Sequence, residues 1–207
     1  MTETPKDFID RTMRKKVTAA GEESGGISMV PHGHKSITYA ITEISDPDKF
    51  AAIAKKYPKN TRNRDKKQNE LSWWGSSDKI REKVIIAISN QDVKVYLSTE
   101  MNRQDKTDSS EERFLRVLKD AAGAMIDHTD ADHIDFKLDN NPYVPTDVID
   151  REIGDMAAAK NKTASIAHLR SFDEPIIQTQ DFIAGSADSQ TFIDIIEDKM
   201  MSWKKRR

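Results

Sequence analysis

The sequence predicts an α/β domain built on a mixed β-sheet flanked by helices. Three observations predict it. Short runs rich in β-branched residues alternate apolar and polar positions, as "SITYAITEIS" and "HIDFKLDNN" do. From Asp92 onward such runs alternate with amphipathic helical stretches, the pattern of helices layered on a sheet. The first two strand candidates follow one another with no helix between them, so they pair antiparallel and the sheet is mixed.

Residues 1–15 form a polar lead-in, and one domain spans 16–207. "VTAAGEESGG" is the first strand, ending in a turn where Gly25 and Gly26 let the backbone bend tightly. "ISMVPHGHK" is a loop and "SITYAITEIS" the second strand. "DPDKFAAIAKKY" is a helix, with Asp46 as N-cap and Pro47 at its first position. The run 58–70, "PKNTRNRDKKQNE", is a basic exposed loop. "LSWWGSS" continues as a short extended segment. "SDKIREKVIIAISN" is a helix capped by Ser77. "DVKVYLSTEMN" is a strand, "DKTDSSEE" a loop and "ERFLRVLKDAAGAMIDH" a long amphipathic helix. "HIDFKLDNN", "PTDVIDREIGDMAAAK" and "TASIAHLRS" read as strand, helix and strand. Two helices close the chain, "PIIQTQDFIAGSA" and "SQTFIDIIEDKMMSWKKRR".

Of the 207 residues, 36% are hydrophobic and 33% charged, which allows a core beneath a very polar surface. The formal net charge of −2 excludes a globally basic nucleic-acid coat, so any such contact must come from local patches. The absence of cysteine excludes disulfides, zinc–thiolate sites and thiol nucleophiles. No apolar run is long enough to span a membrane, and "MTETPKDFIDRTMRKK" has no apolar signal core. The expectation is a soluble, cytoplasmic protein.

Asp181 is the residue that asks for an explanation. It lies among Ile176, Ile177, Phe182, Ile183 and Ala184, and burying a lone charge is costly. Three further carboxylates stand where they could join it: Glu22 at the end of the first strand, Glu70 after the basic loop, and Asp139 at the end of "HIDFKLD". Carboxylates gathered at one sheet edge repel one another unless a hard cation neutralises them, and oxygen ligands of this kind suit Mg2+ or Mn2+. Two such ions can activate a water and stabilise the leaving oxygen in phosphodiester cleavage.

The ordered set "GEESGG", "SITYAITEIS", "NELSWW" with "SSDKIREKVIIAIS", "IDFKLDNNPY" and "PIIQTQDFIAGS" resembles the domain of unknown function 3800 family, over roughly residues 16–190. That resemblance implies a ribonuclease H-like fold. In the family pattern a strand ends Asp-Glu-Ser-Gly, a Glu precedes a helix, a strand ends in Asp, and a late helix opens Leu-Gln-x-Ala-Asp-hydrophobic-x-Ala-Gly. Gln178, Asp181, Ala184 and Gly185 match the late motif, Glu23, Ser24 and Gly25 the first, Glu70 the middle Glu and Asp139 the strand Asp. "LDNNPY" also resembles the Asp-Ser-x-x-Tyr turn of ribonuclease H. Two positions depart from the pattern. Glu22 replaces the leading Asp and is one methylene longer, and Thr179-Gln180 stands where an apolar–Ala pair is usual.

The resemblance implies a metal-dependent nuclease acting on RNA or DNA, with Glu22, Glu70, Asp139 and Asp181 as metal ligands. His168, on the strand before Asp181, is a candidate for proton transfer. Arg62, Arg64, Lys66 and Lys67, with the Trp73-Trp74 pair, could grip phosphates and stack on bases; the alternative is a solvated loop beside two core tryptophans. The "HGH" at His32–His34 and the acidic "IDHTDADH" offer metal-ligating residue types, but the first has no obvious third ligand and the second lies in a turn, so both read as polar surface. Ser24 lacks the elbow of a serine nucleophile and suits a turn hydrogen bond. The C-terminal "KKRR" could touch phosphates but fits an ordinary cationic helix end, and the same segment, with Met200, Met201 and Trp203, could instead be a partner-binding helix face. A free sheet edge with an apolar terminal helix would suit a homodimer. The competing function is a catalytically inactive module of the same fold that binds nucleic acid or protein. A nucleotide phosphohydrolase is a third reading, without a Gly-rich phosphate loop or Walker motif to support it.

Overall fold

A computed structural model describes residues 15–25, 36–57, 71–101, 108–141, 143–171 and 173–206. Six strands form one sheet: β1 (Lys16–Gly25), β2 (Ser36–Ile44), β3 (Val93–Met101), β4 (His133–Asp139), β5 (Thr163–Leu169) and β6 (Met200–Arg206). The helices are α1 (Pro47–Lys56), α2 (Asp78–Ser89), α3 (Ser110–His128), α4 (Thr146–Ala158), α5 (Pro175–Ser186) and α6 (Gln190–Ile196), the last followed by a 3-10 turn over Glu197–Lys199.

The strand order is β5-β4-β1-β2-β3-β6. β1, β2 and β3 form an antiparallel meander, β4 and β5 add in parallel beyond β1, and β6 lies parallel to β3. A three-strand meander with two parallel strands on the far side of its first strand is the ribonuclease H-like arrangement. The expected mixed sheet with its first two strands antiparallel is therefore present. All strands but β2 run the same way, so the carboxyl ends of β1, β3, β4, β5 and β6 meet at one edge of the sheet.

Strand alternation sends side chains to two cores. One face packs on α3 and α4 through Ala19, Ile37, Tyr39, Ile41, Tyr96, Ile134, Phe136 and Leu138. The other packs on α1, α2, α5 and α6 through Ala20, Ala40, Ile44, Val95 and Leu97. The helix starts follow local chemistry. Asp46 accepts from the Lys49 amide at 3.0 Å, as its N-cap role requires. Ser109 and Glu112 form a reciprocal capping box at the start of α3.

Three local expectations are corrected. Ser77 occupies the cap position of α2, but its side chain makes no capping hydrogen bond. "LSWWGSS" is a turn rather than an extended segment, closed by Ser76 N donating to Trp73 O at 3.1 Å. The largest correction is the C-terminus. The final helix stops at Ile196, and "MMSWKKR" is strand β6. Ile193, Ile196, Met200 and Trp203 stand at helical spacing and all face the same core, so the local pattern reads as one long helix. The outer edge of β3 decides otherwise. Its N–H and C=O groups would be left unpaired without β6, and an open, apolar edge strand is a liability. The terminal cations therefore lie on a strand: Lys204 and Arg206 bond Asp120 of α3, and Lys205 sits 3.4 Å from the Trp203 ring centre. No helix among the described residues is long and apolar enough to cross a membrane.

Candidate functional site

Glu22 and Asp139 reach the same place through register. β1 and β4 pair in parallel up to Gly21 beside Leu138, so the next residue on each strand is a carboxylate. Both point away from α3 and α4, toward α5, because Gly21 and Leu138 face the other way. α5 packs across β1 and brings Asp181 over this strand end. Three elements distant in sequence thus bring Asp139 and Asp181 within electrostatic reach of Glu22.

The environment penalises charge. Glu22 is 7% exposed. Its Oε1 accepts from the Glu23 amide at 3.2 Å, while its Oε2 is buried without a hydrogen-bond partner. Burial holds its carboxyl well above the usual range, and the charges of Asp139, Asp181 and Glu23 push it further. Glu23, on the opposite face of β1, is pushed up to about 7, mainly by burial and also by Asp139, against a lowering hydrogen bond from Asn141 Nδ2. The Tyr39 hydroxyl is raised by burial and by the same carboxylates.

Two of the acids also have a structural part. Asp181 Oδ2 accepts from the Trp73 amide at 2.6 Å, and Asp139 Oδ1 accepts from the Ser171 amide at 3.1 Å. Gln178, one helical turn before Asp181, accepts from Leu71 N at 3.4 Å and donates to Ser171 O at 2.8 Å. The polar face of α5 therefore clamps the segment that begins at Leu71 and ties it to the loop after β5. Trp73 seals the clamp. Its ring packs edge-on to Phe182 and Phe192, under the Arg81 guanidinium, and directly against Gly185, where any Cβ would meet the indole at 2.2–2.5 Å.

Among the described residues, no group of three acidic or histidine side chains is arranged to hold a metal ion as it stands. The donor set nevertheless fits a hard divalent cation: all oxygen, mutually repelling, and with one buried carboxylate oxygen lacking any partner. Glu70, the fourth expected ligand, lies outside the described residues, as do Arg62, Arg64, Lys66, Lys67 and the "HGH" histidines.

The structure does not bring His168 to the cluster. In register it pairs with Leu138, so it faces α4, where its Nε2 is 2.8 Å from Asp150 Oδ1. Asp139 and its partner Leu169 face the other side. Trp73 is core, 3% exposed, while Trp74 is 57% exposed, so the pair does not form a common stacking platform. Ser24 is buried with an unpartnered hydroxyl on the Glu22 side of β1, rather than bonded within the turn.

Three residues were missed. Glu23 stands on the other face of β1 from Glu22, and the sequence marks it only as part of the "GEESGG" match. Asn141 both bonds Glu23 and closes the turn after β4, accepting from Tyr143 N and Val144 N. Gln180 had a signal: "QTQD" places four polar residues in succession on an otherwise apolar helix, and all but Asp181 are fully buried or nearly so.

No family model matches the chain, and no curated protein does either. Solved structures similar to it include the ribonuclease HII–PCNA complex of Archaeoglobus fulgidus, at 15% identity and a TM-score of 0.49, covering 88% of this chain and 77% of that one. Ribonuclease H2 of Pyrococcus horikoshii OT3 is similar at 14% identity and a TM-score of 0.48, covering 88% and 76%. The fold assignment itself comes from the strand order and directions.

Proposed function

We propose that this chain is a divalent-metal-dependent nuclease that hydrolyses phosphodiester bonds in RNA or DNA. Glu22, Asp139 and Asp181 would hold Mg2+ or Mn2+, with Glu70 as a further ligand. One observation carries the reading: three elements deliver carboxylates to one sheet edge where burial and mutual repulsion oppose their charge, and Glu22 Oε2 is left without a partner. Such an arrangement is unfavourable by itself and becomes favourable around a cation. When bound, the ion supplies Lewis acidity toward a water and the phosphodiester oxygens. The chain's own part is to fix the ligands. β1 and β4 hold Glu22 and Asp139 on adjacent rigid strands, and α5 holds Asp181 while its Gln178 anchors the Leu71 amide. With His168 on the other face, no described histidine serves as a proton carrier at this site.

The test is cleavage of a labelled panel of single- and double-stranded DNA, RNA and an RNA–DNA hybrid, with Mg2+, Mn2+ or chelator. Metal-dependent cutting should fall at least 100-fold in Asp139→Asn and Asp181→Asn, both folded. Retained activity in both variants would refute the ligand assignment. The inactive binding module is the second reading, favoured by the main-chain amides that already engage Asp139 and Asp181. Folded wild-type protein that cuts nothing but still retains nucleic acid would support it.

A further inference from the structure

Gln180 is fully buried on α5, one residue before Asp181. Its Nε2 donates to Ala40 O at 3.0 Å. Ala40 is the cross-strand partner of Glu22, and antiparallel partners lie with Cα atoms about 4.5–5.5 Å apart. The Gln180 head group is therefore pinned beside the strand position that carries Glu22, on the face Glu22 points to. Its Oε1 is buried and has no partner, just as Glu22 Oε2 has none. The neighbouring polar residues of the helix differ. Gln178 uses both ends of its amide, and the Thr179 hydroxyl donates to Phe50 O and Pro175 O. In this run it is Gln180 that carries a buried oxygen with no partner.

Two orphaned buried acceptors, one on Glu22 and one on the amide held against its cross-strand partner Ala40, cost free energy unless a donor or a cation meets them. A side-chain amide oxygen is an ordinary ligand for hard divalent ions, and it adds coordination without adding negative charge to a crowded acidic site. We propose that Gln180 Oε1 is a further oxygen ligand of the cation held by Glu22, Asp139 and Asp181. This inference rests on the cation-site reading above. It assigns the fixed end of the amide, Nε2 on Ala40 O, the task of aiming the other.

The experiment is Mn2+ binding by titration calorimetry and electron paramagnetic resonance, without substrate, on wild type, Gln180→Met, Gln180→Glu and Asp181→Asn. Circular dichroism and Tm serve as fold controls. Wild type should bind and Asp181→Asn should lose binding. Gln180→Met keeps the volume but removes the oxygen, and should bind about 10-fold or more weakly. Gln180→Glu also loses the donor to Ala40 but restores an oxygen, and should bind at least as tightly as wild type. If Gln180 merely braced β2, both variants would weaken alike, and that result overturns the proposal. Wild-type affinity in Gln180→Met overturns it too, while leaving the carboxylate site standing. Should Gln180→Met fail to fold, Gln180→Glu decides alone: affinity at or above wild type supports the assignment and weaker binding ends it. No Mn2+ binding by wild type would refute the cation site itself, and Gln180 with it.

Discussion

Gly185→Ala offers a stringent test of how the site is held. In a helix interior the change should help, since Ala is about 1 kcal/mol more favourable than Gly. At Gly185 the added Cβ would stand 2.2 Å from Trp73 Cγ and 2.5 Å from Cδ1 and Cδ2. Ordinary carbon contacts are about 3.5–4.0 Å, so the overlap exceeds roughly 1 Å against a rigid ring. The ring cannot swing away cheaply. Phe182 and Phe192 flank it, Arg81 Nε donates to its carbonyl at 3.0 Å, and its amide donates to Asp181. Overpacking of a tight core costs about 1–3 kcal/mol or more. With a clash this deep the upper part of that range applies, leaving a net loss of about 2 kcal/mol after the helix gain. For a chain of this size that lowers Tm by about 4–8 °C. Gly154→Ala is the matched control. Its Cβ meets nothing within 4 Å in α4, so it should stabilise by about 0.5–1 kcal/mol. Thermal melts followed by circular dichroism and tryptophan fluorescence read both. If Gly185→Ala is neutral or stabilising like Gly154→Ala, the packing of Trp73 on α5 is not as described.

Three further outcomes follow from the same contacts. Glu23 goes from an unfolded value of 4.5 to about 7 in the fold, so the native state binds more protons than the unfolded chain. Its contribution is therefore fully present below about pH 4.5 and lost as pH rises through 7, about 3 kcal/mol in all; metal-free denaturation across this window should show the decline, and Glu23→Gln should reduce it, leaving the part that Glu22 contributes with the same sign. Asp139→Asn keeps an acceptor for the Ser171 amide but removes a charge that raises the Glu22 and Glu23 carboxyls, so in the metal-free variant Glu23 should titrate below about 7, read by NMR titration of its carboxyl carbon. Ser109→Ala breaks the capping box of α3 and should cost about 1 kcal/mol, a Tm drop of about 2–4 °C.

The elements that sequence displayed well are those whose local and tertiary demands agree. β4 and α3 show clean periodicities, and the structure uses each face as its pattern implies, whereas β2 is buried on both faces from Ile37 to Thr42. β6 was hidden because Ile193, Ile196, Met200 and Trp203 satisfy a helix as well as they satisfy one face of a core. Only the unpaired edge of β3, a fact about three dimensions, breaks the tie. The carboxylates were legible for the opposite reason. Asp181 is locally wrong among apolar neighbours, and Asp139 ends a strand. Glu23 was not, because nothing local shows what covers it; Gln180 belongs to the polar run "QTQD", but only helix packing shows that its oxygen is buried without a partner. His168 shows the converse: nearness in sequence to Asp181 suggested a role, but one step of register turned it to the other face.

Most of the fold obeys the rule that buried polar groups are bonded and buried charges are paired. Glu100, fully buried, lies against Arg113 and bonds Arg116 through two hydrogen bonds; Asp120 bonds Lys204 and Arg206. These networks sit on the α3 side of the sheet and satisfy themselves with cations from the chain. On the α5 side, at the carboxyl ends of β1 and β4, Glu22 feels the charges of Asp139 and Asp181, and Glu22 and Gln180 each keep a buried oxygen unbonded. The same chain that supplies a guanidinium for Glu100 supplies none for Glu22 among the described residues. Local violations of this kind are costly and persist where function requires them. On the function proposed above, a divalent ion would supply the positive charge that Glu22 Oε2 and Gln180 Oε1 do not receive from the described residues.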